Sequence, residues 1–394
     1  MTLDIATGRS RSFAIDLLRS TVMIIMVLDH VRDFFHSQAL ITDPLDLQTT
    51  TPILFFTRWI THFCAPVFVF LSGCSAYLYG CKKGLPALSS FLIKRGCWLI
   101  CVEIVLITFA LTFNPLYSLL VLQVVWAIGI GMIMLGLLIR LPLTALFCIG
   151  LLLCFGHNLL DYPAFSPKDK TSLWWLLLHS SGSVYPLSNS HLILVAYAFI
   201  PWTGVMITGY CFGRVFEMEV RDRIRACIYT GTGLIGLFLL VRSINMYGDP
   251  APWSVQKDTV FTLLSFLNVS KYPASMQYIC LMLGPAILLL GFMEKVKNRL
   301  TTIVSVYGRV PFFYFIIHLY LIHLLCMAAF YLEGYTSKEI ISPRSPFFFR
   351  PPSFGFSLLA VYAIWIVIVV AMYPICSWYN RYKSTHTQWW LSYL

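Results

Sequence analysis

The segment from Asp16 to His36 places ionisable side chains in a stretch that is otherwise apolar. It contains three carboxylates, two guanidinium groups and two imidazoles, namely Asp16, Arg19, Asp29, His30, Arg32, Asp33 and His36. Ionisable groups in a membrane helix are costly, and they usually face a cavity in which they function. A histidine among carboxylates and arginines is typical of proton transfer next to a bound anion. The alternative is a polar network that only joins helices.

Helical spacing groups these residues. Arg19 and His30 are eleven positions apart, which is close to three turns and roughly 16 Å along a helix axis. They therefore share one face. Asp33 follows His30 by three residues and can flank it, whereas Asp29 directly precedes His30 and can instead reach Arg32.

The distance between Arg19 and His30 fits a long donor that has one anionic end and one reactive end. Coenzyme A has this shape, with a pantetheine arm on the order of the same length as three helical turns. We predict that Arg19 and Arg32 bind its phosphates. His30, flanked by Asp29 and Asp33, would accept a proton from a hydroxyl or amine that attacks the thioester. An acyl-histidine intermediate is an alternative. No tightly bound cofactor is expected, only acyl-CoA as co-substrate.

Polar residues of later apolar segments are predicted to line the same cavity, although structural hydrogen bonding would also account for them. They are Arg58, His62, Glu103, Tyr314 and His318. Pro66 follows His62 by four residues and should distort that helix and free a backbone carbonyl. His318 and His323 are five positions apart, and no carboxylate accompanies them, so we predict no metal site.

The whole chain is too apolar for a soluble protein. Of its 394 residues, 58% are hydrophobic and 11% are charged, whereas soluble domains are roughly 25% charged. Apolar runs of about 20 residues without alternation indicate helices rather than a barrel. We predict an all-α polytopic transmembrane bundle of about ten spans, or eleven, as one domain over residues 1–394. The ten spans are 13–35, 53–79, 91–113, 116–139, 141–160, 192–212, 226–244, 274–292, 303–331 and 354–380.

The basic residues predict the orientation of the bundle. Of the 28 lysines and arginines, 17 fall in alternate connections and seven in the opposite ones. By the positive-inside rule, the connections that hold the 17 basic residues are cytoplasmic. Both termini, including a short tail over residues 1–12, are therefore expected in the cytoplasm. This distribution explains the net charge of +11 without nucleic acid as a partner.

Several motifs resemble one known family, the bacterial membrane proteins related to heparan-α-glucosaminide N-acetyltransferase. The resemblance rests on Asp16-Leu-Leu-Arg19 and on the segments 28–35 (Leu-Asp-His-Val-Arg-Asp-Phe-Phe), 65–73 (Ala-Pro-Val-Phe-Val-Phe-Leu-Ser-Gly), 201–206, 209–213, 266–273, 308–314 and 318–323. It extends over nearly the whole chain. It implies a multi-pass enzyme, expected in the bacterial inner membrane, that carries acyl groups from cytosolic acyl-CoA to a sugar on the far side.

The resemblance leaves two candidates for the catalytic histidine. The wider transmembrane acyltransferase group shares an Arg-x10-His pattern, which Arg19 and His30 match, and its histidine is the proposed base. The lysosomal enzyme has Asn at the position of His30, and its catalytic histidine follows the helix. His36 is the nearest residue for that second role.

The sequence therefore predicts an acyl-CoA-dependent O- or N-acyltransferase. The competing class is a transporter or flippase for an anionic solute or lipid, because charges and prolines along a cavity also suit that function. The expected partners are membrane lipid, the acyl donor, a glycan-like acceptor and a second copy of the chain in a homodimer.

Overall fold

The computed structural model describes residues 12–342 and 345–392, so the predicted tail lies outside the described residues except for Ser12. The helices are α1 (Phe13–Phe35), α2 (Pro52–Lys83), α3 (Leu85–Thr112), α4 (Val124–Leu138), α5 (Leu143–Asp161), α6 (Leu173–Leu178), α7 (Phe199–Phe212), α8 (Val220–Ile244), α9 (Thr259–Leu267), α10 (Met276–Met293), α11 (Arg299–Arg309), α12 (Pro311–Leu332) and α13 (Leu358–Thr385). Three short strands are β1 (Leu119–Leu122), β2 (Ser183–Pro186) and β3 (Leu192–Val195).

The fold class is confirmed as an all-α polytopic bundle. Among the described residues, seven helices are long and apolar enough to cross a membrane, namely α2, α3, α5, α8, α10, α12 and α13. The other three predicted spans correspond to α1, which is long but charged, and to α4 and α7, which have 15 and 14 residues. The number of spans and their orientation stay predictions.

Two predicted spans begin too early. The predicted helices over 116–139 and 192–212 start as strands, and the helices begin only at Val124 and Phe199. β3 lies between the other two strands, parallel to β1 and antiparallel to β2. Apolar strand residues that are branched at Cβ or Cγ are equally compatible with a buried helix, so periodicity does not distinguish the two.

The predicted span 303–331 is divided into α11 and α12. Val310 between them has φ −130° and ψ 51°, outside the helical region. Pro311 has no amide hydrogen, and its ring disfavours a helical conformation of the preceding residue. The helix therefore stops before Pro311 and restarts with that proline at its first position.

Helix α1 lies inside the bundle. It packs against α2, α10, α11, α12 and α13. By contrast, only 17% of the apolar window of α8 and of α13 is buried by protein, as expected for helices that face lipid. The ionisable side chains of α1 thus face other helices rather than hydrocarbon.

Candidate active site

The C-terminal half of α1 carries an ion-pair network that reaches α2. The Arg32 guanidinium donates to Asp29 at 2.9 Å and to Asp33 at 2.6 Å. Asp29 also accepts a short hydrogen bond from Arg58. Side-chain exposure is 4% for Arg32 and about 15% for Asp29 and Arg58. The Asp29–Arg32 pair agrees with the helical spacing, and Asp29 points to arginines rather than to a histidine.

The ring of His30 lies against the ring of His318 on α12. Their centroids are 5.2 Å apart, and Phe315 also contacts His30 at 6.4 Å. His318 Nδ1 is 2.9 Å from the carbonyl oxygen of Tyr314, so Nδ1 must carry the hydrogen. Its Nε2 is then an acceptor, and it has no partner among the described residues. The structure thus brings His30 and His318 into contact, and their predicted place in one substrate cavity stays a prediction.

His62 enters the same region through a distortion of α2. The turn Ile60–Phe63 is 3-10 helical, and Pro66 has no amide hydrogen to donate to the carbonyl four residues earlier. That carbonyl, of His62, instead accepts from the Tyr278 hydroxyl at 2.8 Å. The predicted freed carbonyl is therefore confirmed. The His62 ring is 1% exposed, and both its nitrogens lack a partner among the described residues.

Lys271 lies near these histidines, although it is not among the site residues predicted from the sequence. It lies between α9 and α10 and is only 8% exposed. Its Nζ is 5.9 Å from the ring centre of Tyr197 and 5.2 Å from that of Tyr272. Its charge acts on Asp29, on His30 and on the neighbouring His62. The one available signal was its position within the motif over residues 266–273.

The other half of α1 borders a cavity. Arg19 donates to the Gly308 carbonyl at 3.2 Å and to Ser75 at 3.0 Å. A narrow cavity of about 100 Å³ adjoins it, lined by Arg19 and Arg95 and by apolar side chains that include Met23 and Phe315. Phe315 therefore forms part of the cavity wall and also contacts the His30 ring.

Tyr314 contacts His318, and Asp33 pairs with Arg32. These four residues, together with His30 and Asp29, are called the central group. The Tyr314 ring stacks on His318, with centroids 5.4 Å apart, and its buried hydroxyl has no partner among the described residues. Asp33 is the most exposed member, at 38% of its side chain. Within the part of the chain that the structure describes, no group of three His, Cys, Asp or Glu residues could hold a metal ion.

Glu103 lies apart from this group. It is fully buried in the π-helical turn Glu103–Ile107 of α3. Its carboxylate accepts from the backbone amides of Gln123 at 2.8 Å and Trp126 at 3.2 Å. These are the first amides of α4, which have no partner inside their own helix. Glu103 therefore caps α4 in this structure.

His36 also has a different environment from His30. It follows the last residue of α1 and is 8% exposed. Its carbonyl accepts from Arg350 at 2.6 Å, and its backbone pairs with Phe356. Burial, together with the guanidinium groups of Arg32 and Arg350, lowers the pKa of His36. The outer segment before α13 thus holds His36 beyond the end of the central group.

Comparison with protein families identifies a known family. A family model described as heparan-alpha-glucosaminide N-acetyltransferase, catalytic, matches residues 11–245. No curated protein matches the chain at a significant level. The matched range contains α1 to α8 and therefore includes His30 and His62, whereas Lys271 and His318 lie beyond it.

Proposed function

The chain belongs to the heparan-alpha-glucosaminide N-acetyltransferase family, a family of transmembrane acetyltransferases, and on that premise we propose that it transfers an acetyl group from cytosolic acetyl-CoA to a sugar or other small acceptor on the opposite side of the membrane. The observation that carries this proposal is the cavity between Arg19 and Phe315. Phe315, which lines this cavity, also contacts the ring of His30.

The cavity suits the donor. Arg19 and Arg95 at one end supply positive charge for the phosphates, in the manner that arginines bind phosphate oxygens. The apolar walls between them and Phe315 suit the thin, largely apolar arm that carries the thioester. Arg32 already binds two carboxylates, and its predicted role in donor binding stays a prediction.

His30 is proposed as the general base. The acceptor oxygen or nitrogen attacks the thioester carbonyl while His30 removes its proton. The carbon–sulfur bond then breaks, and the coenzyme A thiolate takes up the proton that His30 holds. His318 Nε2 is an acceptor with a fixed tautomer, so it can hold the hydrogen of one His30 nitrogen and leave the other nitrogen free for the acceptor. A third group that orients the base is a recurrent arrangement in such sites.

We propose that Asp29, Asp33 and Arg58 fix the positions of α1 and α2 relative to each other around this base. Because Asp29 binds both arginines, it acts on His30 through charge and position rather than through a hydrogen bond. His36 is the alternative base, since an acceptor that enters from the outer segments would pass close to it.

The test is acetyl transfer by the purified protein in lipid nanodiscs. Free thiol and acetylated product are measured with acetyl-CoA and a panel of amino sugars, for wild type and for His30→Gln, His36→Gln and the exposed control His191→Gln. We expect wild type and His191→Gln to release thiol and His30→Gln to lose at least 10²-fold in rate. Loss in His36→Gln alone would move the base to His36. If wild type neither binds nor cleaves acetyl-CoA and instead moves a solute across vesicles, the transporter interpretation replaces this one.

A further inference from the structure

Three buried side-chain nitrogens at and near His62 have no hydrogen-bond partner among the described residues. They are the Trp202 indole Nε1 and both ring nitrogens of His62, and both side chains are at most 1% exposed. An indole nitrogen can only donate, whereas a neutral imidazole donates from one nitrogen and accepts at the other. Lys271, itself 8% exposed, has the Tyr272 hydroxyl as its polar neighbour, and its ammonium group carries three hydrogens.

A continuous series of ring contacts places these donors in one region. Lys271 lies over the ring of Tyr197, whose centroid is 5.0 Å from that of Trp202. Trp202 lies 6.3 Å from Tyr278, and Tyr278 lies 5.7 Å from His62. The donors come from α2, α7 and the segment before α10, so they are brought together only by packing.

The charges of this region are not balanced. Arg32 and Arg58 form ion pairs with Asp29 and Asp33. Among the residues that the structure describes, no ion pair includes Lys271, so one positive charge is left over. A buried donor without an acceptor is destabilising, and a buried charge without a counter-charge is more so. A ligand that restores the balance must supply acceptor oxygens and one negative charge.

We propose that Lys271, Trp202 and His62 form a subsite for an anionic oxygen group of the acceptor, a carboxylate or a phosphate, next to the histidine pair. This inference rests on the proposed function and specifies its acceptor as an anionic sugar or a molecule of similar chemistry. Lys271 neutralises the charge, and the Trp202 indole N–H and one N–H of His62 donate to the remaining oxygens. A hydroxyl or amine elsewhere on the same acceptor then lies toward His30.

Binding without donor tests this subsite. The probes are glucosamine, its 6-phosphate and its 6-carboxylate (the uronic acid), titrated calorimetrically into nanodisc-embedded protein that contains no acetyl-CoA. We expect at least one anionic sugar to bind 10-fold or more tightly than glucosamine. Lys271→Met should abolish that difference and leave glucosamine binding unchanged. Lys271→Arg should keep the preference, and Trp202→Phe, which retains a ring but loses the N–H, should weaken it several-fold. The exposed Lys338→Met is the control.

The outcomes separate this inference from the proposed function. Equal binding of the three sugars by wild type, or equal weakening of all three by Lys271→Met, overturns the subsite. The acetyl-transfer assay supplies one further criterion. If Lys271→Met lowers kcat for neutral and anionic acceptors alike and leaves KM unchanged, the lysine stabilises the thioester oxyanion instead, and the subsite is rejected. Because the binding assay needs no acetyl transfer, failure of the proposed function leaves its result interpretable.

Discussion

The ring centroids of His30 and His318 are 5.2 Å apart, although the two residues belong to the first and the penultimate long helices of the chain. The Tyr314 carbonyl fixes the hydrogen of His318 on Nδ1. The nitrogen opposite, Nε2, is therefore an acceptor buried beside His30. In the proposed function, His30 is the base and His318 is the group that orients it.

His318 is expected to position His30, and its variants should distinguish this from a packing role. His318→Phe keeps a ring but removes Nε2, and we expect kcat to fall by roughly 10²-fold or more. His318→Gln can still offer an oxygen near the position of Nε2 and should recover part of that loss. The pH profile of kcat should also shift in His318→Phe. Equal kcat and an unshifted profile in both variants would assign His318 to packing alone.

Asp29 is expected to be important for stability, because it binds two buried arginines. Asp29→Asn leaves Arg58 and Arg32 with less negative charge inside the bundle and should lower the free energy of unfolding by about 3 kcal/mol. The matched control is Asp222→Asn. That residue pairs with Arg225 on the surface, where both side chains are more than half exposed, so the expected loss is below about 1 kcal/mol. Thermal unfolding in one detergent measures both. Similar losses would show that the Asp29 network contributes no more than a surface pair.

The cavity beside Arg19 should be sensitive to filling. Ser72 lines it and donates to the Phe68 carbonyl. Ser72→Phe adds roughly the volume of the cavity and should raise KM for acetyl-CoA 10-fold or more, because the donor arm loses its path. Ser243 makes the same kind of bond to the Leu239 carbonyl but is exposed on α8, so Ser243→Phe serves as the control. Unchanged donor KM in Ser72→Phe would rule out this cavity as the donor path.

Glu103 should prove to be a capping residue. Glu103→Ala removes the acceptor of the Gln123 and Trp126 amides, and the loss of acceptors for buried amides should cost about 2 kcal/mol in unfolding free energy. Glu103→Gln retains one acceptor oxygen and should lose less. Acetyl-CoA and acceptor KM should stay within about threefold of wild type in Glu103→Gln. A large rise in acceptor KM without a change in unfolding temperature would instead place Glu103 in the substrate cavity.

His36 should make the protein less stable in acid. Its pKa in the folded protein is lowered, by burial and by the charges of Arg32 and Arg350, from an ordinary value of 6.5. As the pH falls through 6.5, the unfolded chain therefore binds a proton that the folded protein does not, and stability decreases. His36→Gln should show a smaller decrease in unfolding temperature between pH 7.5 and 5.5 than wild type. The exposed His386→Gln should behave like wild type. Identical pH dependence in His36→Gln would contradict this assignment.

Local chemistry explains what could be predicted from the sequence alone. The assignment to membrane proteins follows from long apolar segments, whose exposure to water is unfavourable. The turn before Pro66 follows from one missing amide hydrogen, and the Asp29–Arg32 pair follows from a spacing of three residues on a helix. Each of these depends on residues that are near neighbours along the chain. For the same reason, α1 could be singled out as the candidate catalytic helix before any packing was known.

Packing decided what surrounds that helix. Lys271 and His318 reach the neighbourhood of His30 only because α10 and α12 pack on α1. The contacts of Arg58 with Asp29 and of Glu103 with the first amides of α4 also depend on how the helices pack. Sequence periodicity specifies which face of a helix is buried, but the partner across that face depends on how all the helices pack together. The residue types and the helix with the most ionisable side chains were thus determined by the sequence, whereas the pairing of the histidines and the unbalanced charge of Lys271 were decided by the tertiary structure, because they depend on contacts between segments far apart in the chain.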